Sequence, residues 1–336
     1  TKNDSPDSHE RHLHPNNWTE KTSGLMSAFK ILDGAMGSEL IRRGMELPEH
    51  IWSAAANLIN PALVLAIHRE YVDAGADYIT ANTFRTTPRA YENIGVRGEN
   101  EEGGKKEDGE RRKPARRTGR EAKAFARESL NQAVDLAKKA VGNSAKVLGS
   151  IAPLEDCYSP ELFPGKDTAI TEFRELGGWL SNAGVDILLL ETMNSLAETE
   201  AGLIALQDFE LSLWVSFVLK DDEHLLSGEL ILDIIKLLQD YSVEMVLLNC
   251  NPLRRTENAI IHLANNWSGK WGIYPNLGIG EPSPNGKITE YENMDKFISL
   301  MEKAIDMGAS VVGACCGSSP QHIKSLCSLS THPERC

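Results

Sequence analysis

The sequence predicts an α/β protein that folds as a single-domain (β/α)₈ TIM barrel. Eight short apolar runs alternate with amphipathic helical patterns from residue 30 to the end of the chain. No glycine-rich dinucleotide loop follows the first run, and eight strands suit a closed barrel better than an open doubly wound sheet. The length of 336 residues falls within the range of such barrels.

The apolar runs are the predicted strands and the amphipathic segments between them are the predicted helices. The strands are expected at residues 30–33, 77–81, 145–151, 186–191, 213–219, 244–249, 271–275 and 310–313. The helices are expected at residues 61–74, 121–141, 168–183, 197–207, 228–240, 254–266 and 291–307.

Three predicted helices lead into the next strand through a similar phrase: "DAGADYI", "NAGVDIL" and "DMGASVV". In these phrases Gly75, Gly184 and Gly308 are expected to take the left-handed conformation that ends a helix. The apolar residues that follow are typical of buried parallel strands. Repeated joints of this kind indicate repeated right-handed crossovers.

Two segments are expected to be disordered. Residues 1–24 are polar, without the apolar stretch of a signal peptide, and we interpret them as a tail. Residues 97–120 are rich in Gly, Glu, Lys and Arg, which cannot contribute to a core. We expect this segment to be a solvated insertion in a barrel domain spanning residues 25–330; the alternative is a docking arm that is basic between Arg111 and Arg120.

Composition bounds the function. The net charge of −13 and the pI near 5.2 argue against partners such as nucleic acid or anionic membranes. No apolar run reaches the roughly 18 residues of a membrane-spanning helix. The six cysteines do not resemble a disulfide framework, so we expect a reducing, cytoplasmic environment with free thiols. The oligomeric state stays open.

Active sites of (β/α)₈ barrels lie where strands end and the following loops begin. Cys250 follows the sixth predicted strand, and Cys315 and Cys316 follow the eighth, so the barrel places all three at one rim. Three sulfurs and one vacant position are typical of a catalytic zinc site. The alternatives are a buried or redox-active cysteine pair, with Cys250 as a small core residue. His68 and His262 are expected on solvated helix surfaces.

Two carboxylates occupy the same predicted rim. Asp33 ends the first strand and precedes Gly34 and Gly37, whose turn could hold an anion through its amides; the alternative is an ordinary helix cap. Glu191 ends an apolar strand, where it needs a cation, either a substrate ammonium or a salt bridge. Together with the thiolates, these groups predict a pocket for an amino acid whose thiol attacks an activated methyl group.

Six ordered blocks, "LDGAMGSEL", "ITANTFRT", "GSIAPLEDCY", "LLLETM", "LLNCNP" and "GACCGSSP", resemble the homocysteine S-methyltransferase family over about residues 30–327. The resemblance implies a zinc-dependent barrel that makes methionine from homocysteine, a small-molecule substrate. It implies zinc ligation by the three cysteines and binding of the substrate amino group by Asp33 and Glu191. It also implies a carboxylate site at the glycine turn, with Thr83 and Asn249 lining the pocket.

The methyl donor follows less directly from the resemblance. The chain ends soon after the eighth strand, without the folate and cobalamin domains of vitamin B12-dependent methionine synthase, so we expect S-methylmethionine or S-adenosylmethionine; betaine is an alternative donor. "NTFRTTPRAY" and "GACC" depart from the "NTYQAS" and "GGCC" of the S-methylmethionine enzymes. The remaining alternatives are another thiol or selenol acceptor, or a non-catalytic homocysteine-binding barrel.

Overall fold

The computed structural model describes residues 29–92, 95–96, 115–116, 118–279 and 288–330. The predicted tail at residues 1–24 and most of the predicted insertion at residues 97–120 lie outside these ranges, so both stay predictions. A helix begins at Gly119, after a capping box in which the Thr118 side chain accepts from the Glu121 amide and the Glu121 side chain accepts from the Thr118 amide.

The described strands form one large parallel sheet and one small antiparallel pair. In chain order they are β1 Lys30–Ile31, β2 Tyr78–Ala81, β3 Gly95–Val96, β4 Ala115–Arg116, β5 Lys146–Ile151, β6 Ile187–Met193, β7 Ser212–Phe217, β8 Met245–Pro252, β9 Lys270–Asn276 and β10 Val311–Val312. The large sheet has the order β1-β10-β9-β8-β7-β6-β5-β2, while β3 pairs with β4.

Backbone contacts between β1 and β2 join the two ends of the large sheet. Leu32 forms a parallel bridge with Tyr78, whose carbonyl oxygen accepts from the Asp33 amide at 3.0 Å. The Asp77 amide donates to the carbonyl of Ile31 at 2.8 Å. The eight parallel strands therefore form a closed barrel, which confirms the predicted fold class and all eight predicted strands to within a few residues at their ends.

Helices surround this barrel. They are α1 Met36–Arg42, α2 Ala55–Ile59, α3 Pro61–Asp73, α4 Pro88–Glu92, α5 Gly119–Val141, α6 Lys166–Ala183, α7 Leu196–Leu206, α8 Ile231–Leu238, α9 Leu253–Asn266, α10 Met294–Asp306 and α11 Pro320–Cys327. The predicted left-handed glycines are confirmed, with φ of +100° at Gly75, +80° at Gly184 and +98° at Gly308. None of the helices in the described ranges has the length and apolar character needed to cross a membrane.

The expectation that His68 lies on a solvated surface is wrong. Its side chain is completely buried in α3, on the same face as Val64, Ile67 and Tyr71. Spacings of three, four and seven residues place these positions on one side of a helix. Burial lowers the pKa of His68 to about 4, so its ring is neutral at physiological pH.

The inside of the barrel has an apolar layer below a polar one. The apolar layer contains Leu148, Leu189, Trp214 and Leu247. Because side chains on a strand alternate between two faces, the residues two positions further along each strand also face inward. These residues are Ser150, Glu191, Ser216 and Asn249, and we call them the polar layer. The polar layer lies at the carboxyl ends of the strands, where barrel active sites form.

We expect Gly272→Ala to disrupt the barrel wall, because a Cβ atom at this position of β9 would overlap the carbonyl oxygen of Val311. The free energy of unfolding should fall by roughly 1–3 kcal/mol or more. Gly178→Ala is the matched control: in the interior of α6 its nearest contact would be 4.0 Å away, and it should stabilise by about 1 kcal/mol. Urea denaturation measures both; equal stability of the two variants would contradict this account.

Candidate active site

Three cysteine side chains converge at the carboxyl end of the barrel. Cys250 lies in β8, Cys315 and Cys316 follow β10, and β9 separates the two segments. The three sulfur atoms lie within 4.8 Å of one another, with 2.6 Å between Cys250 and Cys315 and 4.0 Å between Cys315 and Cys316. In the described ranges, this is the one cluster of three or more side chains placed to share a metal ion.

Irregular backbone directs Cys250 toward its partners. The register between β8 and β9 shifts between Asn249 and Pro252, and Cys250 adopts a left-handed φ of +54°. A similar shift occurs in β6, where Thr192 has φ of +62°. Bulges of this kind re-aim side chains next to active sites, and a left-handed residue other than glycine persists only when its surroundings hold it.

The cysteine cluster favours one thiolate and resists the formation of more. Hydrogen bonds from Cys250 and then Cys315 hold the pKa of Cys316 well below its ordinary value. The pKa of Cys250 is well above its ordinary value because of its hydrogen bonds with Cys315 and Cys316 and because of burial. A divalent cation could replace the remaining protons and balance the negative charge, so the donor set suits a thiophilic metal.

Both predicted carboxylates face the interior, where hydroxyl and amide groups donate to them. Thr80 donates to Asp33 twice, through its amide at 2.9 Å and its hydroxyl at 3.0 Å. Ser150 donates to one oxygen of Glu191, and the Tyr274 hydroxyl donates to the other at 3.2 Å. In the described part of the chain, no Lys, Arg or His side chain forms an ion pair with either carboxylate.

Burial raises the pKa of both carboxyl groups. The pKa of Asp33 rises well above its usual value because of burial, against the hydrogen bonds from Thr80, and the charge of Glu191 raises it further. The pKa of Glu191 is also raised by burial, which outweighs the bonds from Ser150 and Tyr274. Two neighbouring carboxylates in such a place are stabilised by a cationic ligand, and an ammonium group is the natural one.

The turn after β1 is shaped by close packing. A Cβ atom on Gly34 would lie 2.6 Å from the Ser318 hydroxyl and 2.7 Å from Tyr71. A Cβ atom on Gly37 would lie 2.6 Å from the indole nitrogen of Trp52. Neither glycine has a left-handed backbone. The two glycines are therefore required because a side chain would not fit, whereas the sequence suggested that they allow a tight turn.

Hydrogen bonds tie this turn to the cysteine pair. The Ser318 hydroxyl accepts from the Ala35 amide at 2.9 Å, and the Ser38 hydroxyl accepts from the Gly317 amide at 2.8 Å. The first-turn amides of a helix have no acceptors within that helix, and those of α1 lie in this segment. The structure thus brings the predicted carboxylate site next to the cysteine segment.

The two residues suggested by resemblance, Thr83 and Asn249, lie in the same end of the barrel. The Thr83 hydroxyl donates to the carbonyl of Ser150 at 2.8 Å. The side-chain amide of Asn249 donates to the Thr192 hydroxyl at 2.7 Å. Both side chains are buried, and their role in lining a pocket stays a prediction.

The sequence analysis missed Thr80, Ser150 and Tyr274, which bond to the two carboxylates, and Ser216, which bonds to Tyr274. The Tyr274 hydroxyl lies 2.7 Å from the Ser216 hydroxyl, which extends the chain of hydrogen bonds from Glu191 across the barrel. A detectable signal exists for the two serines. Each is a polar residue near the end of a strand whose neighbouring residues are apolar or glycine, two positions after an interior residue.

Tyr158, in the loop after β5, lies close enough to the cysteine cluster to be influenced by its charge. Its side chain is 53% exposed, and its amide donates to the Asp156 carboxylate at 3.0 Å. The charge of Cys250, followed by burial and the charge of Cys316, raises the pKa of the Tyr158 phenol. The preceding residue, Cys157, is buried outside the cluster, and burial raises its pKa to about 12.

Comparisons with known proteins agree on one family. The sequence model described as homocysteine S-methyltransferase matches residues 30–329. Homocysteine S-methyltransferase of Escherichia coli (strain K12) is 29% identical, with 88% of this chain and 93% of that protein covered. Selenocysteine Se-methyltransferase of Brassica oleracea var. italica is 27% identical, with coverage of 89% and 88%.

A solved structure supports the same relationship. The metallated form of the homocysteine methyltransferase MmuM from Escherichia coli superimposes with a TM-score of 0.72 at 26% identity. The alignment covers 90% of this chain and 97% of that chain.

We expect Cys250→Ala, Cys315→Ala and Cys316→Ala each to lose at least ten-fold in metal affinity, because removing one sulfur breaks a three-thiolate site. Cys157→Ala is the matched control and should bind metal as the unaltered chain does. Metal content after dialysis, measured by elemental analysis, distinguishes them. Full occupancy in any of the three cluster variants would count against the site.

Proposed function

The chain belongs to the homocysteine S-methyltransferase family, and from that premise we propose that it moves a methyl group from a sulfonium donor to homocysteine at a zinc centre. Zinc would be held by Cys250, Cys315 and Cys316. The chain is a methyltransferase, as its family is. The observation that carries the proposal is the position, at one end of the barrel, of three thiols and of two carboxylates that form no ion pair with any described residue.

The acceptor amino acid would be oriented by its two charged groups. Its ammonium would lie between Asp33 and Glu191, whose pKa values are raised by burial. Its carboxylate would accept from amides of the turn at Gly34 and Gly37. These two attachments fix the direction of the side chain, so that its sulfur points to the cysteine cluster. Such orientation converts an encounter of two molecules into a step within one complex.

When bound, zinc would keep the acceptor sulfur deprotonated at neutral pH. The surrounding residues orient the acceptor amino acid and exclude water. Asp33 and Glu191 stay ionised when the ammonium is present, because an opposite charge lowers a carboxyl pKa. Thr80, Ser150 and Tyr274 hold the two carboxylates in place through the hydrogen bonds described above.

The donor we propose is S-methylmethionine or S-adenosylmethionine, and both carry a methyl group on a positively charged sulfur. The bond between that sulfur and the methyl carbon breaks as the acceptor sulfur forms its own bond to the carbon. The donor leaves as a neutral thioether, the acceptor thiol loses its proton to solvent, and methionine forms. Because the three cysteines must stay reduced to bind metal, we propose that the enzyme works in the cytoplasm.

A selenol or a different thiol is the second candidate acceptor. The similarity to a protein named selenocysteine Se-methyltransferase favours it. Selenocysteine carries the same ammonium and carboxylate groups as homocysteine on a shorter side chain. The two carboxylates and the glycine turn would therefore bind either molecule. The length of the acceptor side chain, relative to its distance from the cysteine cluster, would determine which one reacts.

We expect the zinc-loaded protein to form methionine from homocysteine and S-methylmethionine or S-adenosylmethionine, with a higher kcat/KM than for selenocysteine or cysteine. Mass spectrometry with a deuterated donor methyl group measures each product. Removal of zinc by a chelator should abolish turnover, and added zinc should restore it. Homocysteine that binds without receiving a methyl group from either donor would contradict the proposed reaction.

We expect Asp33→Asn and Glu191→Gln each to raise KM for homocysteine about 10- to 100-fold, since a charge-assisted hydrogen bond contributes about 1.5–3 kcal/mol. Zinc content should not change. Glu198→Gln is the matched control, because Glu198 is buried but accepts from the Leu154 amide outside the site.

The same two carboxylates predict the direction of the pH dependence. Homocysteine binding should weaken as pH falls through their raised pKa values, since the protonated carboxyl groups no longer attract the ammonium. Binding in that range should release protons, which calorimetry in buffers of different ionisation enthalpy detects. Proton uptake, or a pH-independent affinity with zinc content constant, would contradict the assignment.

A further inference from the structure

We propose that Asn276, the last residue of β9, is a positioning residue that sets the metal affinity of the cysteine cluster. This role rests on the proposed zinc centre and concerns the backbone that carries its ligands. No sequence feature marked Asn276, and its importance comes from three hydrogen bonds that meet at the end of one strand.

The end of β9 contacts both cysteine segments. On one side, the Cys315 amide donates to the carbonyl of Pro275 at 2.8 Å, and the carbonyl of Cys316 accepts from the Leu277 amide at 2.8 Å. On the other side, the side-chain amide of Asn276 donates to the carbonyl of Cys250 at 3.0 Å. Each of the three cysteines thus forms a hydrogen bond with one of three successive residues at the end of β9.

The bond to Cys250 is the one that ordinary strand pairing does not supply. Asn249 pairs with Tyr274 and Pro252 with Asn276, so three steps along β8 oppose two along β9. The Cys250 carbonyl lies in this bulge, and its residue has the left-handed φ of +54° that L-residues avoid. The regular pairing of β8 with β9 does not hold the Cys250 carbonyl, so a side chain must do so.

The orientation of the Asn276 amide follows from the chemistry of its partner. A backbone carbonyl only accepts hydrogen bonds, so the nitrogen of the side chain must face Cys250 and the oxygen must face away. That oxygen is buried and has no hydrogen-bond partner in the described part of the chain. The side-chain amide of Asn276 therefore acts as a donor to the Cys250 carbonyl.

Loss of this bond would release the Cys250 backbone from the conformation that directs its sulfur to Cys315 and Cys316. Metal binding would then have to restore that conformation, and affinity would fall. Residues that orient metal ligands commonly change metal affinity 10- to 100-fold when substituted. The folded barrel itself would be retained, because β8 and β9 also pair through Met245 to Asn249.

The test is a competition titration of the full chain with Zn²⁺ alone against a chelating dye. Asn276→Asp keeps the size of the side chain but removes the donor, and Asn276→Ala removes both polar atoms. Asn194→Ala is the matched control, because Asn194 donates to the carbonyl of Cys157 at 3.1 Å, the same bond at a cysteine outside the cluster. Thermal unfolding of each metal-free variant separates general destabilisation from ligand positioning.

We expect both Asn276 variants to bind Zn²⁺ about 10- to 100-fold more weakly, while Asn194→Ala keeps the affinity of the unaltered chain. With Co²⁺ in place of Zn²⁺, the absorption bands from cobalt–thiolate bonding should shift or weaken in the Asn276 variants alone. Equal affinity of the unaltered chain and both Asn276 variants overturns the positioning role and leaves the zinc centre standing. Failure of the unaltered chain to bind Zn²⁺ overturns the zinc centre and this role with it.

Discussion

The hydrogen bonds that join β1 to β2 close a ring of eight parallel strands, and this closure determines where every strand end lies. Parallel strands in a closed ring finish at the same rim, so residues distant in the chain become neighbours there. Cys250 meets Cys315 because the first lies in β8 and the second follows β10, the two parallel neighbours of β9. The alternation of side chains along each strand then places the polar layer directly below the cysteine cluster.

Electrostatics constrains this rim as strongly as the backbone does. One end of the barrel contains five groups that can carry negative charge: Asp33, Glu191 and the three cysteines. Among the described residues, no cation forms an ion pair with either carboxylate. Such a cluster is neutralised either by protons, which the raised pKa values of the two carboxyl groups favour, or by positive charge on its ligands. A metal ion, an ammonium group and a sulfonium donor are three cations that together match this arrangement.

Much of the fold follows from the sequence, because apolar runs and helix-ending glycines such as Gly184 are local signals. Once the barrel is inferred, the meeting of Cys250 with Cys315 and Cys316 follows from strand order alone. Tyr274 and Asn276 could not be predicted in the same way, since their roles depend on partners across the sheet and on a bulge in β8. The short helices α1, α2, α4 and α11 span too few turns for periodicity to stand out, and His68 was misplaced because a polar residue occupies the buried face of α3.

X-ray absorption spectroscopy of the zinc-loaded protein, with and without homocysteine, counts the sulfur atoms bound to the metal ion. We propose that three cysteine sulfurs hold one metal ion and leave one position for the acceptor sulfur. We therefore expect three sulfur neighbours at about 2.3 Å in the free protein and four after homocysteine is added. Two or fewer sulfur neighbours in the free protein, or no additional sulfur on adding homocysteine, would contradict it.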